Sequence, residues 1–102
     1  MLRVLAYITA KPGMCNPVVQ EFRANMPAVH AEEGCIEYTP FVDLLAFGPT
    51  QIQLGPDTFV VVEKWESPDA IEAHAAAPHM QAYAERTADM LETRIIHILS
   101  PQ

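Results

Sequence analysis

"TFVVVEKWESPDAIEAHAAAPHM", residues 58–80, is the stretch on which the fold turns. Residues 58–65 are β-branched and aromatic, the composition of a strand. A strand sends successive side chains to opposite sides. Phe59, Val61, Glu63 and Trp65 therefore share one side, and Val60, Val62 and Lys64 share the other. Ser67-Pro68-Asp69 ends the strand and opens a short helix through Ala76, since serine caps helices and proline fits their first turn. Pro78 opens a second helical piece, with Met80, Tyr83, Ala84, Thr87 and Leu91 along one face.

Working outward, residues 2–10 alternate as a strand and "KPGM" breaks it. Asn16 is placed to cap a helix, with Pro17 at its first position. Val18, Phe22, Met26 and Val29 follow on one helical face. Pro27 is expected to kink this helix, and Gly34 stands where a left-handed cap belongs. "CIEYTPFV", residues 35–42, and "RIIHILS", residues 94–100, are two more strands. Residues 43–57, "DLLAFGPTQIQLGPD", are too apolar for an ordinary loop and too broken by Gly-Pro pairs for a helix. They are expected to form a hairpin-like arm or a lid. The order β-α-β-β-α-β is that of an α+β, ferredoxin-like fold: one antiparallel four-stranded sheet with two helices on one face. Residues 1–102 make one such domain.

A sheet covered on one side only should alternate apolar and polar residues. Here the first strand is apolar on both sides apart from Arg3 and Thr9, and Ile96 and Ile98 are backed by Ile95, His97 and Leu99. The second face needs a cover, and a second copy of the chain supplies one. Two such faces packed together bury over ~1,000 Å², the scale of a stable interface. A homodimer through the sheet faces is therefore expected, with the arm reaching toward the partner.

Net charge is −7, and the six basic residues are scattered. No basic stripe exists to neutralise phosphates or anionic lipids, so neither nucleic acid nor a membrane is an expected partner. Cys15 and Cys35 fit neither a zinc spacing nor a redox pair, and no disulfide is expected. The amino-terminal stretch lacks the apolar core of a signal peptide, and no run is long enough to cross a bilayer. A cytoplasmic location is expected.

Four titratable or aromatic residues cluster in the deciding stretch. Glu63 and Trp65 point into the same space. If it lies under the helices, burial raises the carboxyl toward neutrality, the range of a general acid or base. If it lies at the rim, Glu63 simply pairs with Arg86 or Arg94. His74 shares a helical face with Ile71 and so points toward the sheet. His79 follows the Pro78 break, where a helix amino terminus favours the neutral, proton-accepting form. Each histidine could instead serve packing or capping. The pair is five apart across a proline, unlike the i, i+4 spacing of a zinc helix, so no metal is expected. No glycine-rich cofactor loop or nucleophile elbow is present. Met80, Tyr83, Phe59 and Trp65 could line an apolar cleft, which is the usual build of a small-molecule site and of a core alike.

"VVVEKWESPDAIEAHAAAPHMQAY", residues 60–83, resembles the signature of the antibiotic biosynthesis monooxygenase (ABM) domain family, in the dimeric α/β-barrel superfamily. "AKPGM" and "EEGCIEY" extend the likeness, and only residues 43–57 fall outside it. The resemblance implies a ferredoxin-like protomer, a sheet-to-sheet dimer and a pocket between sheet and helices. It implies oxidation of small phenolic or quinol-type aromatics with O₂, without metal, flavin or other cofactor. It gives Trp65 the part of pocket wall or hydrogen-bond donor, and His74 and His79 that of proton handling or substrate orientation. Val61 stands where some active relatives carry asparagine. Tyr7 stands where haem-degrading relatives carry asparagine, which disfavours haem degradation.

The leading expectation is a cofactor-independent monooxygenase. His74, His79 and Glu63 form its catalytic set, and Trp65, Tyr83, Met80, Phe59 and Tyr7 its substrate contacts. An isomerase or small-molecule-binding dimer of the same fold is the first alternative. A non-catalytic assembly module is the second.

Overall fold

The computed structural model describes residues 1–102. Its elements are β1 (Leu2–Ala10), α1 (Cys15–His30), β2 (Cys35–Phe41), β3 (Thr58–Trp65), α2 (Pro68–Ala76), α3 (Pro78–Thr87) and β4 (Leu91–Leu99), with one 3-10 turn at Ala88–Met90. The strands form one antiparallel sheet in the order β2-β3-β1-β4. This is the α+β ferredoxin-like arrangement, with its second helix split in two at Ala77-Pro78. Ala77 is extended (φ −63°, ψ 136°). Pro78 restricts its predecessor to that region and lacks the N–H that a continuous helix would need.

The strict alternation of β1 and β3 sets the core. Val4, Ala6, Ile8 and Ala10 lie under the helices, beside Phe59, Val61, Glu63 and Trp65, and all are buried. From above, α1 contributes Val18, Phe22 and Val29. Phe22 stacks on Tyr38 of β2, with centroids 4.9 Å apart.

Two local expectations, the caps at Asn16 and Gly34, are corrected. Met14, not Asn16, caps α1, and Pro17 is its third residue. The first helical bond runs from the Val18 N–H to the Met14 carbonyl (3.2 Å), so the missing N–H of Pro17 costs nothing. Pro27 lies inside α1, which continues to His30, close enough to the end that few bonds depend on it. Gly34 is left-handed (φ +86°) but lies beyond the Ala31 cap, in the turn entering β2. A Cβ there would sit 2.6 Å from the Ala70 Cβ, so the turn can press against α2 only with glycine.

Residues 43–57 form neither a hairpin nor any regular element. Pro49 and Pro56 lack ladder donors, and the positive φ of Ala46, Gly48 and Gly55 interrupts extended backbone. The arm is closed at its base instead. The Asp43 carboxylate accepts the N–H groups of Leu54 and Gly55, each at 2.9 Å. Leu44, Leu45, Phe47 and Ile52 project outward, Ile52 being 96% exposed.

The sheet's second face carries half-buried Leu5, Tyr7, Val60 and Val62, with exposed Phe41, Ile95 and Leu99. An Arg3–Glu37 ion pair (2.8 Å) lies at its edge. No helix is long and apolar enough to cross a membrane. Cys15 and Cys35 are free thiols.

Candidate active site

Between the sheet and the α2–α3 pair lies a cavity of about 320 Å³. Apolar side chains, among them Val4, Ile8, Ile71, Met80 and Leu91, make most of its wall. Glu63, His74, Tyr83, Thr87 and Arg94 are its principal polar groups. The rim runs along edge strand β4, where Ile96 and Ile98 are 41% and 59% exposed.

Glu63 reaches the cavity because the period-two alternation of β3 turns it inward, opposite Val4 on β1 and Tyr38 on β2. It is 6% exposed. Burial pushes its carboxyl up from 4.5 to about 7; the Trp65 hydrogen bond and the Arg94 charge each pull it down, and the Glu32 charge adds to the rise. The Trp65 Nε1–H donates to Glu63 Oε1 at 2.8 Å. The rim alternative fails on burial, and the two arginines do not rescue it. Arg86 pairs with Glu21 (2.8 Å), while Arg94 acts on Glu63 only through space.

His74 is delivered by α2, whose start is fixed by the Ala70 N–H donating to Ser67 Oγ (3.2 Å). Three residues on from Ile71, it faces the sheet and is 8% exposed. Its ring lies 4.8 Å from Trp65 and 5.4 Å from Tyr38. His74 Nδ1 is 2.9 Å from Glu32 Oε2. A carboxylate can only accept, so Nδ1 donates, and in the neutral ring the lone pair is on Nε2. No hydrogen bond within the chain engages Nε2, and His74 stands on the cavity wall.

His79 does not line the cavity. It is held behind it, where Asn25 Nδ2 lies 3.1 Å from its Nδ1 and 3.4 Å from Met80 Sδ. His79 Nε2 lies 3.2 Å from the same Glu32 oxygen. That nitrogen is buried without a hydrogen bond, so the contact is electrostatic and off the bonding line.

Of the remaining expected residues, Met80 and Tyr83 stand on the cavity wall. Burial pushes the Tyr83 hydroxyl up to about 12, which keeps it a donor. Phe59 and Trp65 do not contact the cavity. Both are fully buried behind it, and Trp65 acts on Glu63 and His74 rather than on a ligand. Tyr7 is on the opposite face of the sheet, edge-on to His97 at 6.0 Å. Its odd number puts it out of phase with Val4, Ala6 and Ile8.

Glu32, Asn25 and Arg94 were not singled out as site residues by sequence reasoning. Asn25 carried a signal, since it falls on the apolar stripe of Val18, Phe22 and Val29, where a polar residue needs a partner. Glu32 carried none, being 42 residues from His74 in an acidic turn. No group of three or more histidine, cysteine or acidic side chains is arranged to hold a metal ion. The facing nitrogens of His74 and His79 converge on a carboxylate oxygen instead. Burial raises both thiols, Cys35 to about 11, so neither is a ready nucleophile.

The family model described as antibiotic biosynthesis monooxygenase matches residues 1–86. The Escherichia coli (strain K12) protein named "Probable quinol monooxygenase YgiN" is 42% identical over 104 residues, covering 99% of this chain and 98% of that one. The crystal structure of PA3566 from Pseudomonas aeruginosa superposes with a TM-score of 0.81 at 26% identity, covering 99% and 93%. A conserved protein from Methanosarcina mazei Go1 shares the fold, with a TM-score of 0.83 at 20% identity over 99% and 92%.

Proposed function

The chain belongs to the antibiotic biosynthesis monooxygenase family, and from that premise we propose that it oxidises a small quinol or phenolic aromatic with O₂, using no cofactor. The observation that carries this reading is the cavity itself: an apolar chamber of about 320 Å³ lined by both His74 of α2 and Glu63 of β3. That volume falls in the range of small-molecule sites. The name of the Escherichia coli relative supports a quinol.

In the reaction, His74 Nε2 accepts the proton of a substrate hydroxyl, leaving a phenolate. The phenolate is electron-rich enough to give an electron to O₂, and the resulting pair combines to form a new C–O bond. Cleavage of the O–O bond leaves one oxygen on the ring and releases the other as water. For a hydroquinone the sum is QH₂ + O₂ giving hydroxyquinone + H₂O, with every electron supplied by the substrate. Arg94 places a positive charge beside the developing anions. Tyr83 donates to a substrate oxygen, and Glu63 is poised near neutrality to return a proton to the departing oxygen. The apolar wall excludes water, which strengthens these interactions.

The protein acts as a homodimer in this proposal, with the uncovered apolar sheet face of each copy against the other. The test is O₂ uptake with a panel of benzo- and naphthohydroquinones, with hydroxyquinone formation followed by mass. Uptake is expected in the wild type, with kcat lower by roughly 10²–10⁴ in His74→Ala, the usual worth of a general base. Absence of uptake across the panel overturns the monooxygenase reading. Thermal stabilisation by the same compounds without uptake points to an isomerase or a binding dimer. Neither response points to an assembly module.

A further inference from the structure

We propose that Glu32 is a positioning residue for His74: it fixes the proton on Nδ1, frees Nε2 for the substrate and balances the charge that His74 acquires. This rests on the proposed function for its catalytic part only. Glu32 stands in the turn between α1 and β2, with its carboxylate largely buried (side chain 16% exposed). Oε2 lies 2.9 Å from His74 Nδ1 and 3.2 Å from His79 Nε2. One carboxylate oxygen thus faces two imidazoles.

The direction of each proton follows from donor chemistry. Asn25 Nδ2 can only donate, so His79 Nδ1 accepts and His79 carries its proton on Nε2, toward Glu32. His74 Nδ1 also turns its proton toward Glu32. Asn25 thus holds His79 by a hydrogen bond, His79 meets Glu32 by an electrostatic contact off the bonding line, and His74 donates to Glu32 directly. The one imidazole lone pair left unmatched is that of His74 Nε2. The His79 contact gives the same carboxylate oxygen a second imidazole neighbour at 3.2 Å. Gly34 fixes the turn that carries it by packing against Ala70 of α2, the same helix that carries His74.

In the proton-transfer step the substrate O–H bond breaks and an Nε2–H bond forms, with the electron pair staying on the phenolate oxygen. His74 becomes an imidazolium among apolar walls, where an unpaired charge is costly. Glu32 supplies the counter-charge at hydrogen-bond distance without itself taking the proton, as in other carboxylate–histidine pairs. The other titratable groups around His74 are less well placed for this. Tyr38 of β2 is raised by burial and stays neutral, Glu63 of β3 is engaged by Trp65, His79 of α3 faces Glu32, and Arg94 of β4 has the wrong sign.

The experiment uses the full-length protein labelled with ¹⁵N in histidine, together with Glu32→Gln and Glu32→Ala. The imidazole nitrogen shifts are expected to show His74 protonated on Nδ1 in the wild type and in Glu32→Gln, whose amide oxygen still accepts. In Glu32→Ala that preference is lost. In steady-state kinetics with the best hydroquinone, Glu32→Gln is expected to lower kcat at least about tenfold with KM within about threefold, part of the ~10²–10⁴ worth of the base. His74 protonated on Nε2 in the wild type, or full kcat in Glu32→Gln with an unchanged melting temperature, overturns the proposal. If the wild type oxidises no hydroquinone, the proposed function falls, and the nitrogen shifts still decide whether Glu32 orients His74. Should Glu32→Ala not fold, Glu32→Gln carries the test alone.

Discussion

Glu63→Gln should stabilise this protein in alkaline solution and leave it unchanged in acid. The Glu63 carboxyl is pushed up from 4.5 to about 7, chiefly by burial. Between those two values the folded chain holds a proton that the unfolded chain has released. Folding stability therefore falls as pH rises through this window and levels off above it. At 1.36 kcal/mol per pH unit, the full difference is about 3 kcal/mol. Glutamine has nearly the same shape, can still accept the Trp65 Nε1–H and never ionises. At pH 4.5 the variant and the wild type should match. At pH 8 the variant should be more stable by up to about 3 kcal/mol, with most of the change between pH 5 and 7. Urea unfolding at pH 5, 6, 7 and 8 measures this, at one fixed protein concentration because any association adds to apparent stability. An equal shift at every pH, or a wild type more stable at pH 8, would refute the buried carboxylate. The stability forgone at pH 8 is the sort of sacrifice a site makes to keep a proton near its working pH.

Trp65→Phe removes the donor that favours the ionised form of Glu63. Its destabilisation should be larger at pH 8 than at pH 5 by about 1–2 kcal/mol, the worth of a charge-assisted hydrogen bond, in the same urea series. Gly34→Ala combines a left-handed backbone with a 2.6 Å approach to Ala70. It should cost about 2 kcal/mol or more in thermal unfolding, and a loss under 0.5 kcal/mol would show that the turn is free to move. Ala84→Phe places a ring in the cavity. Hydroquinone KM should rise about tenfold or more while the fold, read by circular dichroism, is kept. Val62→Lys puts a charge in the middle of the uncovered sheet face, far from the cavity. Sedimentation equilibrium should show a shift toward monomer, and an unchanged mass would remove that face as the interface.

Much of the architecture was legible because strand alternation is local. Phe59, Val61, Glu63 and Trp65 had to share a side, whichever side the helices covered. The split before Pro78 and the Ser67 cap were equally local. Chain ends were harder. The cap of α1 moved to Met14 because the turn at Lys11 closes on the Met14 N–H (2.9 Å), a bond no composition announces. Tyr7 was misplaced for a related reason: a resemblance assigns positions, whereas the pleat assigns faces.

By itself, the sequence determined the element order, the residues that share each face of a strand and the helix that turns His74 toward the sheet, because each depends on neighbours a few residues apart. Only the tertiary structure decided which of those residues meet a cavity and which stand behind it. It alone brought Glu32 to His74 across 42 residues and set Trp65 to hold Glu63 rather than a ligand. Hydrophobic periodicity specifies a face, and every buried position on that face looks alike. A hydrogen bond between distant segments depends on the register and tilt of the elements that carry them, and these are settled only when the whole core packs.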